Sequence, residues 1–293
     1  MLRSMYSGIG GMKNFQVKLD VIGNNIANVN TYGFKKGRTI FKDLVSQQIA
    51  GASGPTANRG GVNPKQVGLG SQLAAIDTIH TQGSLQTTGR TLDLAISGDG
   101  FFVLGNGVVG AAVNGPVYTR AGNFYLDQNG DIVNADGLYL IGEPYTAPPA
   151  NAASGTVGKI NIPTTAKSFS IGSDGTVNYV DAAGNLYIAG KIYLAKFKNN
   201  DGLEKAGQNL FRETANSGSI DVDAVKDGVE LVELNAPGTG GTGTIVAGTL
   251  EMSNVDLAEE FTEMIVAQRG FQANTRIITT SDEILQELVN LKK

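Results

Sequence analysis

Residues 257 to 285, LAEEFTEMIVAQRGFQANTRIITTSDEIL, place an apolar side chain at every seventh position: Leu257, Met264, Phe271, Ile278 and Leu285. Phe261 lies one turn beyond Leu257. A matching stripe opens the chain. Leu2, Met5, Ile9, Met12, Leu19 and Ile26 follow alternating steps of three and four, Gln16 and Gly23 occupy the skipped places, and Ile22 lies beside the stripe. Apolar residues sustained at this spacing predict helices joined along a coiled-coil seam. Between the two stripes the pattern is that of sheet and loop. The predicted class is α+β: terminal α-helices forming a coiled-coil-like inner unit, with a β-rich body of hairpins inserted between them. Such helices pack on each other or on copies of the chain, which points to assembly rather than chemistry.

The first helix is expected over 2 to about 28. It contains Gly8, Gly10, Gly11 and Gly23, each costing about 1 kcal/mol relative to Ala, so packing must sustain it. Gly8 and Gly11 allow close approach of a neighbouring backbone. Asn24, Asn25, Asn28 and Asn30 cluster at its end, with Gly33 beyond, as suits helix termination. The second helix is expected to start near Ser253 to Asp256, with Ser253 or Asn254 as cap and Lys292 and Lys293 at its negative end.

The domain reading is 1–30 plus 254–293 as the helical inner domain, 31–73 as an extended connecting segment, and 74–253 as the β-rich outer body. A small insertion is expected near 146–158. Gly51 to Gly70 is rich in Gly, Asn, Pro and Ser and predicts a long loop that bridges subunits or absorbs strain. In the body, Leu92 to Ile96 alternates and Phe101 to Leu104 is a short apolar run. Asp99-Gly100, Asn129-Gly130, Asp136-Gly137, Asp174-Gly175, Gly184-Asn185 and Asp201-Gly202 are tight-turn signals. Phe124 to Leu140 and Phe169 to Ile188 read as hairpins or meanders. Leu203 to Leu234 holds further strand-like stretches, ending in Val229, Leu231, Val232 and Leu234.

Composition narrows function. Among 293 residues there are 40 Gly, about twice the average share, with no Cys and a net charge of -4. Disulfides and thiolate metal sites are excluded, and no basic stripe marks a nucleic-acid binder. No apolar run is long enough to span a bilayer, and no secretory signal pattern opens the chain.

Four motifs invite a chemical reading and fail it. Gly105, Gly107 and Gly110 spell G-x-G-x-x-G, yet Asn114-Gly115-Pro116 breaks the helix a dinucleotide site needs. Asp127, Asn129 and Asp131 begin like a calcium loop, but Ile132 stands where the turn glycine belongs and Leu138 where the bidentate Glu belongs. His80, the only histidine, reads as a polar residue at a strand edge. Gly238 to Gly243 lacks the Lys-Ser/Thr of a phosphate loop. The chain is read as no enzyme, with no catalytic residue, metal or cofactor.

Longer blocks carry a resemblance. Leu19 to Asn28 (LDVIGNNIAN), followed by Thr31 to Lys35 (TYGFK), is similar to the N-terminal signature of bacterial flagellar rod and hook proteins. Asn24, Asn25, Asn28, Gly33 and Phe34 are its signature residues here. Asp93 to Phe102, Tyr118 to Phe124, Ser253 to Leu257 and Ala267 to Asn274 match further blocks, so the resemblance runs from end to end. It implies an axial structural protein, exported through the flagellar type III apparatus without a cleaved signal. It also implies helical polymerisation, with terminal helices forming an inner tube and the β body outside. Implied partners are copies of itself, the distal rod protein, the hook cap and the hook–filament junction proteins, with no nucleic acid and no bilayer.

Within the family, the Ala267 to Asn274 block resembles hook, in a short Gram-positive form, more than distal rod. The expectation is therefore a universal joint passing torque from rod to filament, with the rigid distal rod as alternative. A secreted adhesin or surface β protein and a glycan-active enzyme are the competing classes. Removing both terminal helices separates them, since only the axial protein loses polymerisation alone.

Overall fold

A computed structural model describes residues 2–55, 59–106, 108–109, 112–113, 115–146, 151–218, 220, 229 and 231–291. It has a helix at each end and a β-rich body of antiparallel strands between them. The chain divides into two compact units. A helical unit comprises Met1–Ala27, Lys36–Ile79 and Val255–Lys293; a body comprises Asn28–Lys35 and His80–Asn254.

In the helical unit, α1 (Leu2–Ala27, 26 residues) packs antiparallel on α2 (Leu257–Asn290, 34 residues). The facing row on α1 is Gly8, Gly11, Phe15, Lys18, Ile22 and Asn25. A Cβ at position 8 would lie 3.6 Å from Ile278, one at 11 would lie 2.9 Å from the Asn274 amide, and one at 270 would lie 2.5 Å from the Phe15 ring. Lys18 pairs with Glu263, and Asn25 Nδ2 donates to Glu260 Oε2 at 3.1 Å. This seam is displaced by about one residue from the stripe read in the sequence. Glycines let the two backbones come close, so the seam follows small and polar residues and the larger apolar ones flank it.

Ile9 is accordingly 45% exposed, whereas Met5, Met12, Leu19 and Ile26 are half-buried and only Ile22 is buried. The side chain of Leu2 lies outside the described residues. On α2, Met264, Phe271, Ile278 and Leu285 are half-buried, Glu260, Ala267 and Ser281 are buried, and Leu257 and Phe261 are 40% and 49% exposed. The cap of α2 is Asp256, whose side chain accepts from Ala258 N and Glu259 N, instead of Ser253 or Asn254. Lys292 and Lys293 lie outside the described residues.

The segment expected as an extended connection contains strands. Gly37–Asp43 pairs antiparallel with Ser71–Thr78, and Gln47–Ala50 pairs with Lys65–Val67. Residues 36–79 thus group with the helices, and the body resumes at His80 instead of 74. The first of these strands finds its partner some 30 residues along the chain, and such a distant pairing leaves no local signal in the sequence.

The body's main antiparallel sheet runs, in spatial order, Ser168–Ile171, Thr176–Val180, Leu186–Ile192, Tyr139–Pro144, Phe101–Gly105, Val117–Thr119, Leu210–Arg212 and Glu204–Gly207. Side chains alternate across Phe101–Gly105. Phe102 and Leu104 enter one core with Leu94, Ile96, Phe124 and Ile192; Phe101 and Val103 enter another with Tyr118, Ile141, Phe197 and Phe211. Both faces are covered, so the strand reads as a continuous apolar run.

Asp174-Gly175 makes the expected tight turn, with Gly175 at φ +83°. Asp201-Gly202 instead lies in a 3-10 turn, Asn200–Gly202, closed by Leu203 N donating to Asn200 O at 3.2 Å. Leu231–Glu233 is likewise a 3-10 turn where strand was expected. In the 146–158 stretch, 147–150 lie outside the described residues, and Tyr145 bridges to Ala153.

Candidate functional site

Two sequence-distant blocks of the signature meet in the body on a carboxylate that belongs to neither. Lys35 ends the TYGFK block, Arg120 lies in the Tyr118–Phe124 block, and Glu251 closes the strand just before Ser253. Lys35 Nζ lies 2.6 Å from Glu251 Oε1 and also donates to Thr81 O at 2.7 Å. Arg120 Nη1 lies 3.3 Å from Glu251 Oε2, and Gly83 N donates to Glu251 Oε1 at 3.0 Å. The side chains of Lys35 and Glu251 are fully buried and that of Arg120 is nearly so.

Burial lowers the pKa of Lys35 and of Arg120, and the Glu251 carboxylate opposes this in both by attraction and hydrogen bonding. A carboxylate that carries two cations and a backbone donor is well satisfied, so the cluster fixes geometry.

Local structure delivers these groups. Thr31 N donates to Asn28 O and Phe34 N to Thr31 O, turning the chain after the Asn cluster. Gly33 has φ +70°, donates to Glu251 O at 2.8 Å, and has no room for a side chain, since a Cβ would lie 2.5 Å from Ala121 N. Phe34 is buried, and the Lys205 ammonium stands 5.1 Å from its ring centroid.

Within the helical unit, the signature residue Asn25 exchanges two 2.9 Å hydrogen bonds with the backbone of Gly37 while donating to Glu260. It ties α1, the start of the first strand and α2 together. Asn24 is exposed.

His80 is the residue that sequence reasoning misplaced. It was expected as a polar residue at a strand edge; it follows the strand Ser71–Thr78 and is half-buried, but its ring nitrogens are turned away from water. Its ring lies 5.7 Å from Phe101 and 5.4 Å from Phe211, and both nitrogens are buried with no hydrogen-bond partner among the described residues. Burial first, then the charges of Lys35, Arg120 and Lys205, hold its pKa down to about 4. Only its tertiary neighbours reveal this, because a lone His in sequence carries no sign of them.

The rejected motifs have specific geometry. Gly107 and Gly110 lie outside the described residues, but Val108–Val109 pairs antiparallel with Ala112–Val113, a tight hairpin where a dinucleotide-binding helix would open. Asp127 Oδ1 accepts from Asn129 N at 2.7 Å and Asp131 N at 3.0 Å. Asp131 is held by Lys159 at 2.6 Å and Asn161 at 2.7 Å. These carboxylates close a turn.

A second feature is the surface of the helical unit. Along α2, Phe261, Ile265, Val266, Ile277, Ile284 and Leu288 are between 42% and 59% exposed, and Tyr6 and Ile9 are exposed on α1. In the stretch expected as a long loop, 51–70, Ser53 bridges to Val62 and Lys65–Val67 pairs with Gln47–Ala50 as a ribbon; 56–58 lie outside the described residues. Val45, Ile49, Val62, Val67 and Leu69 are exposed on or beside that ribbon. No helix of the described residues is long and apolar enough to cross a membrane.

Comparison with known proteins identifies the family. The flagella basal body rod protein model matches residues 5–35, the flagellar hook protein FlgE/F/G D1 domain matches 95–179, and the flagellar basal body rod FlgEFG C-terminal model matches 246–291. The chain is 58% identical over 293 residues to the flagellar basal-body rod protein FlgG of Bacillus subtilis (strain 168), covering all of both chains. The chain belongs to the flagellar rod and hook protein family.

Other relatives include the flagellar hook protein FlgE of Borreliella burgdorferi, 34% identical over 459 residues with all of both chains covered. The rod protein FlgG of the same organism is 36% identical over 298 residues, again covering both. Members of this family are structural parts of the flagellum. The hook relative is thus less similar to the chain than the Bacillus subtilis rod protein is.

Proposed function

We propose that the chain is the distal rod subunit, polymerising helically into the rigid drive shaft of the flagellum. The observation that carries the assembly is the number of large apolar side chains left exposed on the paired helices, with Phe261, Ile265, Val266, Ile277, Ile284 and Leu288 standing in solvent on α2. So many exposed large apolar residues on one helix are the mark of a surface that meets another protein. A head-to-tail contact of this kind between copies continues as an open helix. The rod assignment, against hook, is supported by the 58% identity to a rod protein of matching length.

The ribbon formed by Gln47–Ala50 and Lys65–Val67 supports a rigid role. A two-stranded hairpin bearing exposed apolar residues is marginal in water and gains its stability when packed between subunits. The partners are copies of the chain, the hook protein that continues the axis, and the type III export apparatus, which passes the chain without cleaving a signal. The hook cap and hook–filament junction proteins belong to the hook reading. The role is mechanical, without catalysis.

Electron microscopy tests this. Short, straight assemblies of the purified chain, with cells lacking it failing before the rod is complete, are expected. Curved tubes, with mutant cells that stop at a bare finished rod, would make it a hook protein instead.

A further inference from the structure

Three segments of the body lead into and out of the helical unit along the chain: 28–35, 80–83 and 251–254. All three are tied at one point. Gly33 N donates to Glu251 O, Lys35 donates to Glu251 and to Thr81 O, Gly83 N donates to Glu251 Oε1, and Asn254 Nδ2 donates to Thr81 Oγ1 at 3.0 Å. His80 stands directly before Thr81 in this tie, its ring against Phe101 and Phe211.

The charges facing the ring come from separate elements. Lys35 belongs to the first linking segment, Arg120 follows the strand Val117–Thr119, and Lys205 lies in the strand Glu204–Gly207. Glu251 is the one buried carboxylate of the cluster, and it already holds Lys35, Arg120 and the Gly83 amide. The charge of Asp99 also favours the charged form of Arg120. A proton on His80 would add a fourth positive charge without an acceptor, in a site that shuts water away from both ring nitrogens. Opening the tie gives the ring water and relieves that repulsion.

We propose that His80 is a proton-operated latch on the three linking segments: neutral, it lets the Lys35–Glu251–Arg120 tie close, and protonated, it opens the tie while the body's sheet stays folded. The latch does not depend on whether the chain is rod or hook.

His80 is the only histidine, so its ring resonance in the full chain is unambiguous by NMR. The ring is expected to titrate well below a hydrated imidazole. Protection of the Gly83 amide, corrected for intrinsic exchange, is expected to fall on the order of tenfold from pH 7 to 5 through linkage to that proton. The amides of Phe102 and Leu104 keep their protection, and His80→Gln shows no such fall. The latch is overturned if the ring titrates like free imidazole, if Gly83 protection holds steady, if the sheet amides fall with it, or if His80→Gln responds as the native chain does. Should His80→Gln not fold, the native chain alone decides by the first three readings.

Discussion

Lys35 and Glu251, 216 residues apart in sequence, meet as a 2.6 Å ion pair with neither side chain exposed to solvent. Arg120 is the only other cation paired with that carboxylate among the described residues. Removing the carboxylate therefore strands two buried cations. Glu251→Gln is expected to destabilise the body by about 3–5 kcal/mol. Denaturant unfolding followed by near-ultraviolet circular dichroism measures this; a loss below about 1 kcal/mol would mean the cluster is far better hydrated than its burial implies.

Gly33 combines a left-handed backbone with an occupied space where a side chain would go. Gly33→Ala meets both penalties, and at least about 2 kcal/mol of destabilisation is expected from strain and overpacking. Thermal unfolding checks it. An unchanged melting temperature would show that the 28–35 segment can move away from Ala121 freely.

The His80 ring has its pKa held at about 4, first by burial and then by three neighbouring cations. A folded value below the unfolded 6.5 means the unfolded chain binds more protons between these two pH values. The ring's contribution to stability is thus complete above pH 6.5 and is lost as pH falls toward 4. Comparing urea midpoints at pH 7 and 5 for the native chain and His80→Gln isolates this slope from that of the carboxylates. Equal slopes in both proteins would remove His80 as its source.

Gly270 faces Phe15 with no space for a side chain. Gly270→Leu is expected to pry α1 from α2, costing about 1–3 kcal/mol in the helical unit. Limited proteolysis should then cut within α1 while the 80–254 body survives. Intact α1 under these conditions would mean that the helix pair adjusts by sliding.

Ile265 and Val266 are 57% and 59% exposed on α2. Changing both to Asp is expected to leave the chain's unfolding within about 0.5 kcal/mol per site, as for other surface changes, and to abolish assembly. Met264→Asp is a harsher change, because Met264 is half-buried within the unit itself. Normal shafts from the Ile265→Asp, Val266→Asp chain would displace the subunit contact to another face.

The order helix, strands, helix was legible because it depends on local spacing. Seven-residue recurrence from Met264 to Leu285, and the alternation and turn signals around Leu94, Phe101 and Gly175, are short-range properties. The blocks around Asn25, Gly33 and Arg120 were legible as a family signature, but not their purpose. Glu251 drew no notice at all, since an isolated carboxylate at a strand end has no local mark.

Tertiary structure decided what those residues do. It chose Gly8, Gly11 and Phe15 for the helix seam instead of the neighbouring apolar stripe, because close backbone approach depends on what the partner helix presents. It paired Gly37–Asp43 with Ser71–Thr78 across an intervening strand pair, and it set His80 near cations drawn from three distant segments. Periodicity is a property of the chain itself, whereas burial, register and charge environment exist only once distant segments meet.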